Sequence, residues 1–463
     1  MTGVALDRSV VVRIAVCWVL LVAPLTVLGF GSDTDAWLIA DVSDYIVAQG
    51  RYLRSRSTGF PLYELAVTPL VQAGDWYLSN QVALLGGLAL VCILGALAMR
   101  GHYRHPVVVL TAFMFLPIVM KNGSVTMDYL PGLALLSAAY LLLLKRRFDA
   151  AAICVGLATG VRPSNMALLA PAALYVWRVT GRTRPAIRML LLGAAVGIVA
   201  FSPSLFNGEF GLVRTMPALK GAYNALRLFG VVQTAVLALI LAAGWRSVAA
   251  VLRSCTVDPL VAFHLAVIGI WALIFVPMPD EPEYLLPLVP SVLWLLDRML
   301  TRRQFVAAAA VLLSYHVISV DVGGTRGGTR NVVVALGRGF TVADVEDRLF
   351  KMSLRRSATN WSGTSPTLLM EQALAITTRN PHWVLDPVVN EYRQRDGHLY
   401  VSLRYYQTEP VRRFREQGLR VVVMKSREWE FHQPERDTAW PYIDFVEDLG
   451  TVLGTKLRGR PLS

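Results

Sequence analysis

Charge is scarce in this sequence. Asp, Glu, Lys and Arg make up 17% of its 463 residues, against 54% hydrophobic residues. That balance excludes an ordinary soluble globular protein and points to repeated apolar runs of bilayer-crossing length. Cysteine is scarcer still, with only Cys17, Cys92, Cys154 and Cys255. Three lie in apolar runs, the fourth in a basic loop, and none has metal-ligand spacing, which excludes a disulfide framework and a thiolate metal site. They are expected to be buried small hydrophobes. Acid is short relative to base, 32 residues against 45, for a net charge of +13. The excess does not indicate nucleic acid, because the cations gather in short segments between apolar runs. These are Arg100/Arg104, Lys145-Arg146-Arg147, Arg178 to Arg188, Arg246/Arg253 and Arg298 to Arg303. That is the positive-inside pattern of cytoplasmic loops, so no nucleic-acid partner is expected. A convincing internal repeat is also missing, and the carboxylates avoid mid-span positions. A transporter or flippase would show the opposite on both counts.

What is there is a succession of about eleven apolar runs of spanning or near-spanning length. They cover residues 10–30, 76–99, 106–120, 129–145, 148–161, 164–178, 186–206, 227–246, 258–277, 284–299 and 304–320. Arg8 and Arg13 precede the first run, which has no convincing small-residue cleavage site and reads as a retained signal-anchor. An odd number of spans from a cytoplasmic N-terminus puts the chain after residue 321 outside. The same arrangement puts Asp33, Asp35, Asp41, Asp44, Glu64, Asp75, Asp128, Glu209, Asp280, Glu281 and Glu283 on the outer face and the basic clusters on the inner one. The expected fold is an α-helical polytopic membrane protein. Its transmembrane domain spans 1–322 with a first outer loop at 31–75, and a small extracytoplasmic α/β domain follows at 323–463. A Gly-rich linker from Gly323 opens that domain. Val342–Arg356 reads as a helix, and 399–405, 411–417 and 419–424 as strand, helix and strand. The tail holds no nucleotide loop, zinc spacing or serine elbow. Asn122-Gly123-Ser124 and Asn360-Trp361-Ser362 match the N-glycosylation pattern, a weak signal.

The first outer loop is the most informative stretch. Its four aspartates are followed by Arg51, Arg54 and Arg56 and then by Gly59-Phe60-Pro61-Leu62-Tyr63-Glu64. Residues 35–49 have helical spacing and read as a helix on the membrane surface ended by Gly50. Leu62–Ala73 is too short to span and reads as a second interfacial helix. Asp41 and Asp44 are expected to face solvent, and Trp37, Trp76, Tyr77 and Tyr284 to form an aromatic belt.

Asp35-Ala-Trp-Leu-Ile-Ala-Asp41, then Gly50, then Gly59-Phe-Pro61-Leu-Tyr63-Glu64, resembles the first outer loop of GT-C-fold glycosyltransferases. The lipid A aminoarabinose transferases and protein O-mannosyltransferases carry the nearest pattern. Gly156 to Ser164, with Arg162-Pro163, looks like their Thr-Arg-Pro segment. Met127-Asp128-Tyr129 resembles the acidic residue of their second outer loop. Asp280-Glu281-Pro-Glu283-Tyr284-Leu-Leu-Pro287 looks like their late acidic loop, with Glu283 where a basic residue is common.

The resemblance implies an inverting transferase that moves a monosaccharide from a polyprenyl-phosphate donor to a lipid, glycan or protein acceptor. It implies location in a prokaryotic plasma membrane, acting on the outer side, or in the endoplasmic reticulum with a lumenal site. Membrane lipids would be its surroundings. Asp35 matches the essential loop aspartate, with Asp33 as its rival, and Glu64 a second acidic position. A carboxylate can take or orient the acceptor proton, and cations or a metal can stabilise the leaving phosphate. Arg162, Arg56 and Lys121 are the phosphate candidates, although snorkelling also accounts for Arg162. Asp128, Asp280, Glu281 and Tyr284 are further site candidates, and Asp128 alternatively starts a helix. Carboxylate oxygens in the loop could hold Mg²⁺ or Mn²⁺, or no metal. A polymerase or ligase of lipid-linked glycans differs from this reading only in donor size.

Overall fold

In the computed structural model, residues 5–56, 58–206, 218–279, 281–324, 332–345, 348, 394–395, 398–402 and 420–424 are described. The chain falls into two compact units. One comprises residues 1–31 and 38–345, the other residues 32–37 and 346–463.

The first unit is helical. Its opening helices are α1 (Arg8–Val22), α2 (Thr34–Gln49, which begins in the second unit's segment), α3 (Pro61–Met99), α4 (Pro106–Met114) and α5 (Pro117–Asn122). Then come α6 (Tyr129–Leu144), α7 (Phe148–Val161), α8 (Leu169–Thr180), α9 (Thr183–Leu205) and α10 (Ala218–Leu226). The series closes with α11 (Val231–Ala243), α12 (Trp245–Arg253), α13 (Pro259–Phe275), α14 (Val289–Met299) and α15 (Arg302–Ser314). A proline sits in the first turn of α3, α4, α5 and α13, where its missing N–H costs nothing. Trp18, Phe113, Trp271, Trp294 and Phe305 are fully buried at the centre. The outward faces are apolar too. Leu191, Val199, Leu239 and Leu273 are about 70% exposed, which a soluble protein avoids and a lipid-facing surface requires.

Three stretches are long and apolar enough to cross a bilayer by length and composition: Arg8–Val27, Pro61–Met99 and Thr183–Leu205. α11 and α12 reach that length only as a pair bent by 82°, and α6, α7 and α13 are shorter apolar helices. The protein is therefore a multi-pass α-helical membrane protein, with more broken helices than the run lengths suggested. The expected interfacial helix at 62–73 and span at 76–99 form one 39-residue element, interrupted at Gly74 and Asp75 (φ −161° and +55°). The expected span 106–120 divides at Phe115-Leu116, because Pro117 cannot continue α4. The span expected at 284–299 opens as a 3-10 helix, Pro282–Leu288.

Other expectations change more. The last span stops at Ser314, and Ile318–Gly324 is strand β1, paired antiparallel with β2 (Val332–Arg338). Strand therefore occupies the start of the stretch expected to be Gly-rich linker. α2 does not merely lie on a membrane. Ala36, Ile39, Ala40 and Ser43 form a buried stripe, and Thr68 of α3 donates to Ser43. Cys17 and Cys92 are exposed and Cys154 and Cys255 half-buried, because apolar helices here also face outward. Asn122 is buried and donates to the Ile118 carbonyl at 2.8 Å, so that glycosylation pattern is not an accessible site.

The second unit contains β3 (Gln394–Arg395), β4 (His398–Ser402) and β5 (Arg420–Met424). β4 lies antiparallel to β3 and parallel to β5, with His398 opposite Arg420. A parallel neighbour requires a crossover connection, as the expected strand–helix–strand reading has it. The expected helix at 411–417, Asn360-Trp361-Ser362 and most of 342–356 lie outside the described residues, and residues 340–345 are helical.

Candidate active site

The chain entering α3 gathers around the Glu64 carboxylate. Gly50 ends α2 in the left-handed region (φ +64°), with its N–H bonded to the Ile46 carbonyl. From there the chain returns to Phe60, and Pro61 opens α3. Glu64, in the first turn, accepts from the Ser55 N–H (2.9 Å), the Phe60 N–H (3.0 Å), and the Ser55 and Tyr52 hydroxyls. The Tyr52 hydroxyl also lies 3.1 Å from Ser204 Oγ of α9. Burial, reinforced by the Glu64 charge, pushes the Tyr52 phenol well above its ordinary pKa. Gly59 has φ +74°, and a Cβ there would run into Ser204 and Tyr52. Glu64 thus orients the loop, and its four donors leave it turned inward.

A second cluster adjoins through Phe60. Arg56 Nη2 lies 2.8 Å from Asp128 Oδ1 and Arg162 Nη1 2.9 Å from Asp128 Oδ2, so one buried carboxylate bridges two guanidiniums. Arg162 is placed by local sequence. It precedes Pro163, which disfavours helix at its own position, and it is extended (φ −153°, ψ 120°) between α7 and the 3-10 helix Pro163–Leu168. Its guanidinium stands 3.9 Å from the Tyr129 ring centroid, 4.8 Å from Tyr284 and 5.4 Å from Phe60. Arg56 lies 4.0 Å from the Phe60 centroid. Arg162 Nη2 donates to the Tyr129 hydroxyl at 3.1 Å, which in turn donates to Glu281 Oε2.

Two residues beyond Glu281, Glu283 pairs with Lys121 at 2.9 Å. Burial alone would raise the Glu283 carboxyl pKa. The Lys121 charge and hydrogen bond outweigh burial and hold it below its ordinary value.

The structure therefore brings Arg56, Arg162, Asp128, Glu281 and Tyr284 together. Lys121 is joined to them through the 281–283 segment and is neutralised by Glu283. Arg56, Arg162 and Lys121 here face Asp128, Glu281 and Glu283. A phosphate entering it would have to share guanidiniums with Asp128, which five N–H donors per arginine allow. Asp33 and Asp35 stand at the start of α2, in the 32–37 segment of the second unit. Asp33 Oδ1 accepts from the Asp35 N–H at 3.0 Å and so caps the helix. They supply two carboxylates to that turn, the oxygen-donor type that Mg²⁺ or Mn²⁺ would take. Asp280 and the side chains of Asp41 and Asp44 lie outside the described residues.

No protein-family model matches this chain, and no curated protein matches it significantly. Among solved structures, ArnT from Cupriavidus metallidurans bound to undecaprenyl phosphate is similar over 79% of this chain and 68% of that one. The identity is 14% and the TM-score 0.43. The case for a function rests on the residues themselves.

Several polar groups escaped the sequence reading. Tyr52, Ser55 and Ser204 complete the first cluster but carry no pattern as single residues in apolar or loop surroundings, and Tyr129, next to Asp128 in the Met127-Asp128-Tyr129 motif, has no role assigned from sequence. His102, His105 and His264, assigned nothing from sequence, are also partnered. Tyr140 of α6 bonds His102 Nε2 (2.8 Å) and His264 Nε2 (2.9 Å), and His264 Nδ1 reaches Ser291 (2.9 Å). Asp297 of α14 accepts from the Arg104 and His105 backbone N–H groups and lies 2.9 Å from the His105 ring. Asp297 had a usable signal, as a carboxylate inside an apolar run.

Proposed function

We propose that this protein is an integral-membrane glycosyltransferase of the GT-C kind. It takes a monosaccharide from a polyprenyl-phosphate donor and passes it, with inversion, to an acceptor on the outer face of the membrane. The observation that carries this reading is buried Arg162 and half-buried Arg56 sharing the carboxylate of Asp128. Ionised groups are expensive to bury in a membrane protein and mark function when they converge. Two arginines at one place fit a phosphate better than lysines would, because each guanidinium offers a planar fork.

In the proposed reaction a loop aspartate, Asp35 or Asp33, takes the proton of the acceptor hydroxyl as its oxygen attacks the anomeric carbon. The anomeric C–O bond breaks on the opposite face, and its electron pair leaves on the polyprenyl phosphate. Arg56 and Arg162 stabilise the charge gathering there. Tyr284 and Tyr129 hold Arg162 in plane, Glu281 fixes Tyr129, and Glu64 sets the loop. The first span then runs outward from a cytoplasmic N-terminus.

The test is transfer from radiolabelled polyprenyl-phosphate sugars in membranes carrying wild type, Asp35→Asn or Asp33→Asn at equal protein level. Asn is as good a helix cap as Asp, so Asp33→Asn removes charge while keeping the hydrogen bond to Asp35. Loss in one variant alone names the base. Absence of transfer by wild type from a broad donor panel, or full activity in both variants, overturns the reading. Repeating the wild-type assay with chelator, then with Mg²⁺ or Mn²⁺ restored, decides whether a metal takes part.

A further inference from the structure

α12 differs from every helix around it. Gly244 joins it to α11, and the α11 and α12 axes differ by 82°. None of its residues is buried. At 100° per residue its side chains sort into three stripes. Val248, Val251 and, just past its end, Cys255 pack against the core from one flank. Trp245 and Leu252, one heptad apart, point outward and are 63% and 39% exposed. Arg246 and Arg253, also a heptad apart, are exposed on the side away from the core. No acidic residue occurs between 244 and 257. Arg178, at the basic end of α8, donates to the carbonyls of Cys255 (3.2 Å) and Thr256 (2.8 Å) and ties a further cationic segment to the same surface.

We propose that α12 is an interfacial helix whose arginines seat anionic phospholipid head groups. α11 is apolar from Ala235 to Ala243, after Gln233 and Thr234 in its first turn. With α11 directed along the bilayer normal, a helix at 82° to it lies in the plane of the membrane. At that depth Trp245 and Leu252 enter the acyl boundary, where Trp and Leu are favoured. Arg246 and Arg253 then stand among the head groups. Unopposed by acid on their own helix, they complement negatively charged lipid, each contributing on the order of a fivefold preference. This surface is separate from the Arg56–Asp128–Arg162 cluster and does not depend on the proposed transfer.

The experiment uses the full chain in nanodiscs of phosphatidylcholine, or of phosphatidylcholine mixed equally with phosphatidylglycerol. Thermal unfolding and co-purifying lipid are read for wild type, the double variant Arg246→Ala/Arg253→Ala and the double variant Arg246→Lys/Arg253→Lys. Phosphatidylglycerol should raise the melting temperature of wild type and of the lysine variant. The alanine variant should lose that rise and bind phosphatidylglycerol roughly tenfold or more weakly. A spin label at position 252 should be relaxed by oxygen more than by a water-soluble nickel chelate, and one at 246 the reverse. Equal lipid responses in wild type and the alanine variant overturn the proposal. So does a label at 252 fully open to the nickel chelate, or labels at 246 and 252 equally deep, which would make the segment re-entrant.

Discussion

Arg162 and Asp128, 34 positions apart in the chain, meet at 2.9 Å with both side chains shielded from solvent. Asp128 also holds the half-buried Arg56, so its removal strands two cations instead of one. Asp128→Ala should destabilise the protein by about 3–5 kcal/mol, the usual cost of breaking a buried pair. Denaturant unfolding in detergent measures it. A change within about 0.5 kcal/mol, typical of a solvated surface site, would show that Asp128 is hydrated in the folded protein.

Arg162 is held by more than charge. Its guanidinium lies against Tyr129 and Tyr284 while bonding Asp128 and the Tyr129 hydroxyl. An ammonium cannot reproduce a planar group that stacks and forks at once. Arg162→Lys should therefore lower transfer by roughly tenfold or more, mostly through weaker donor binding. Arg56→Lys, which keeps an ion pair to Asp128, should be milder. Initial rates across donor concentrations compare them. Equal rates for wild type and Arg162→Lys would remove Arg162 from the donor site.

How much of this was legible in the sequence depends on the length of pattern involved. The apolar runs gave the helical class, and the gap between the runs 148–161 and 164–178 marked the break at Arg162-Pro163, whereas the break at Leu116-Pro117 was not marked, because 106–120 reads as one apolar run. Gly50 was readable as a helix end for the same reason, since its requirement is local. The exposure of Cys17 and Cys92 was not, because in a membrane bundle an apolar neighbourhood does not separate core from lipid face. Arg56, Asp128 and Arg162 were each singled out, but their sharing of one carboxylate joins three distant segments and has no local signature. Glu283 stands where a basic residue is common in the resembling pattern, and its consequence is the neutralised Lys121. The bonds of Tyr129 to Arg162 and Glu281 and the Tyr140–His264 bond lay beyond reach for want of any spacing rule.

The loop before α3 depends on Glu64 receiving four donors, two on each oxygen. Glu64→Gln turns one oxygen into an NH₂ group facing two donors, and should cost about 1–3 kcal/mol. Gly59→Ala attacks the same loop by another route, through positive φ and contact with Ser204 and Tyr52. Both variants should speed tryptic cleavage after Arg51 and Arg54, while cuts elsewhere keep their rate. Unchanged cleavage at those two arginines in both variants would mean that the clasp does not hold the loop.

His102 gives the fold a dependence on pH. It sits in the turn between α3 and α4, and burial, with the Arg298 charge adding to it, pushes its pKa from 6.5 down to about 4. Between those values the unfolded chain binds a proton at this residue and the folded chain does not. Stability from this group is therefore complete above pH 6.5 and falls as pH drops toward 4. The loss approaches about 3 kcal/mol at 1.36 kcal/mol per pH unit. His102→Gln keeps a polar partner for the Tyr140 hydroxyl, which His102 Nε2 meets at 2.8 Å, but does not titrate. The melting temperature of wild type should fall more steeply between pH 6.5 and 4 than that of His102→Gln, and the two curves should run parallel above pH 7. Parallel curves throughout would mean that His102 takes up its proton in the folded protein as readily as in the unfolded one.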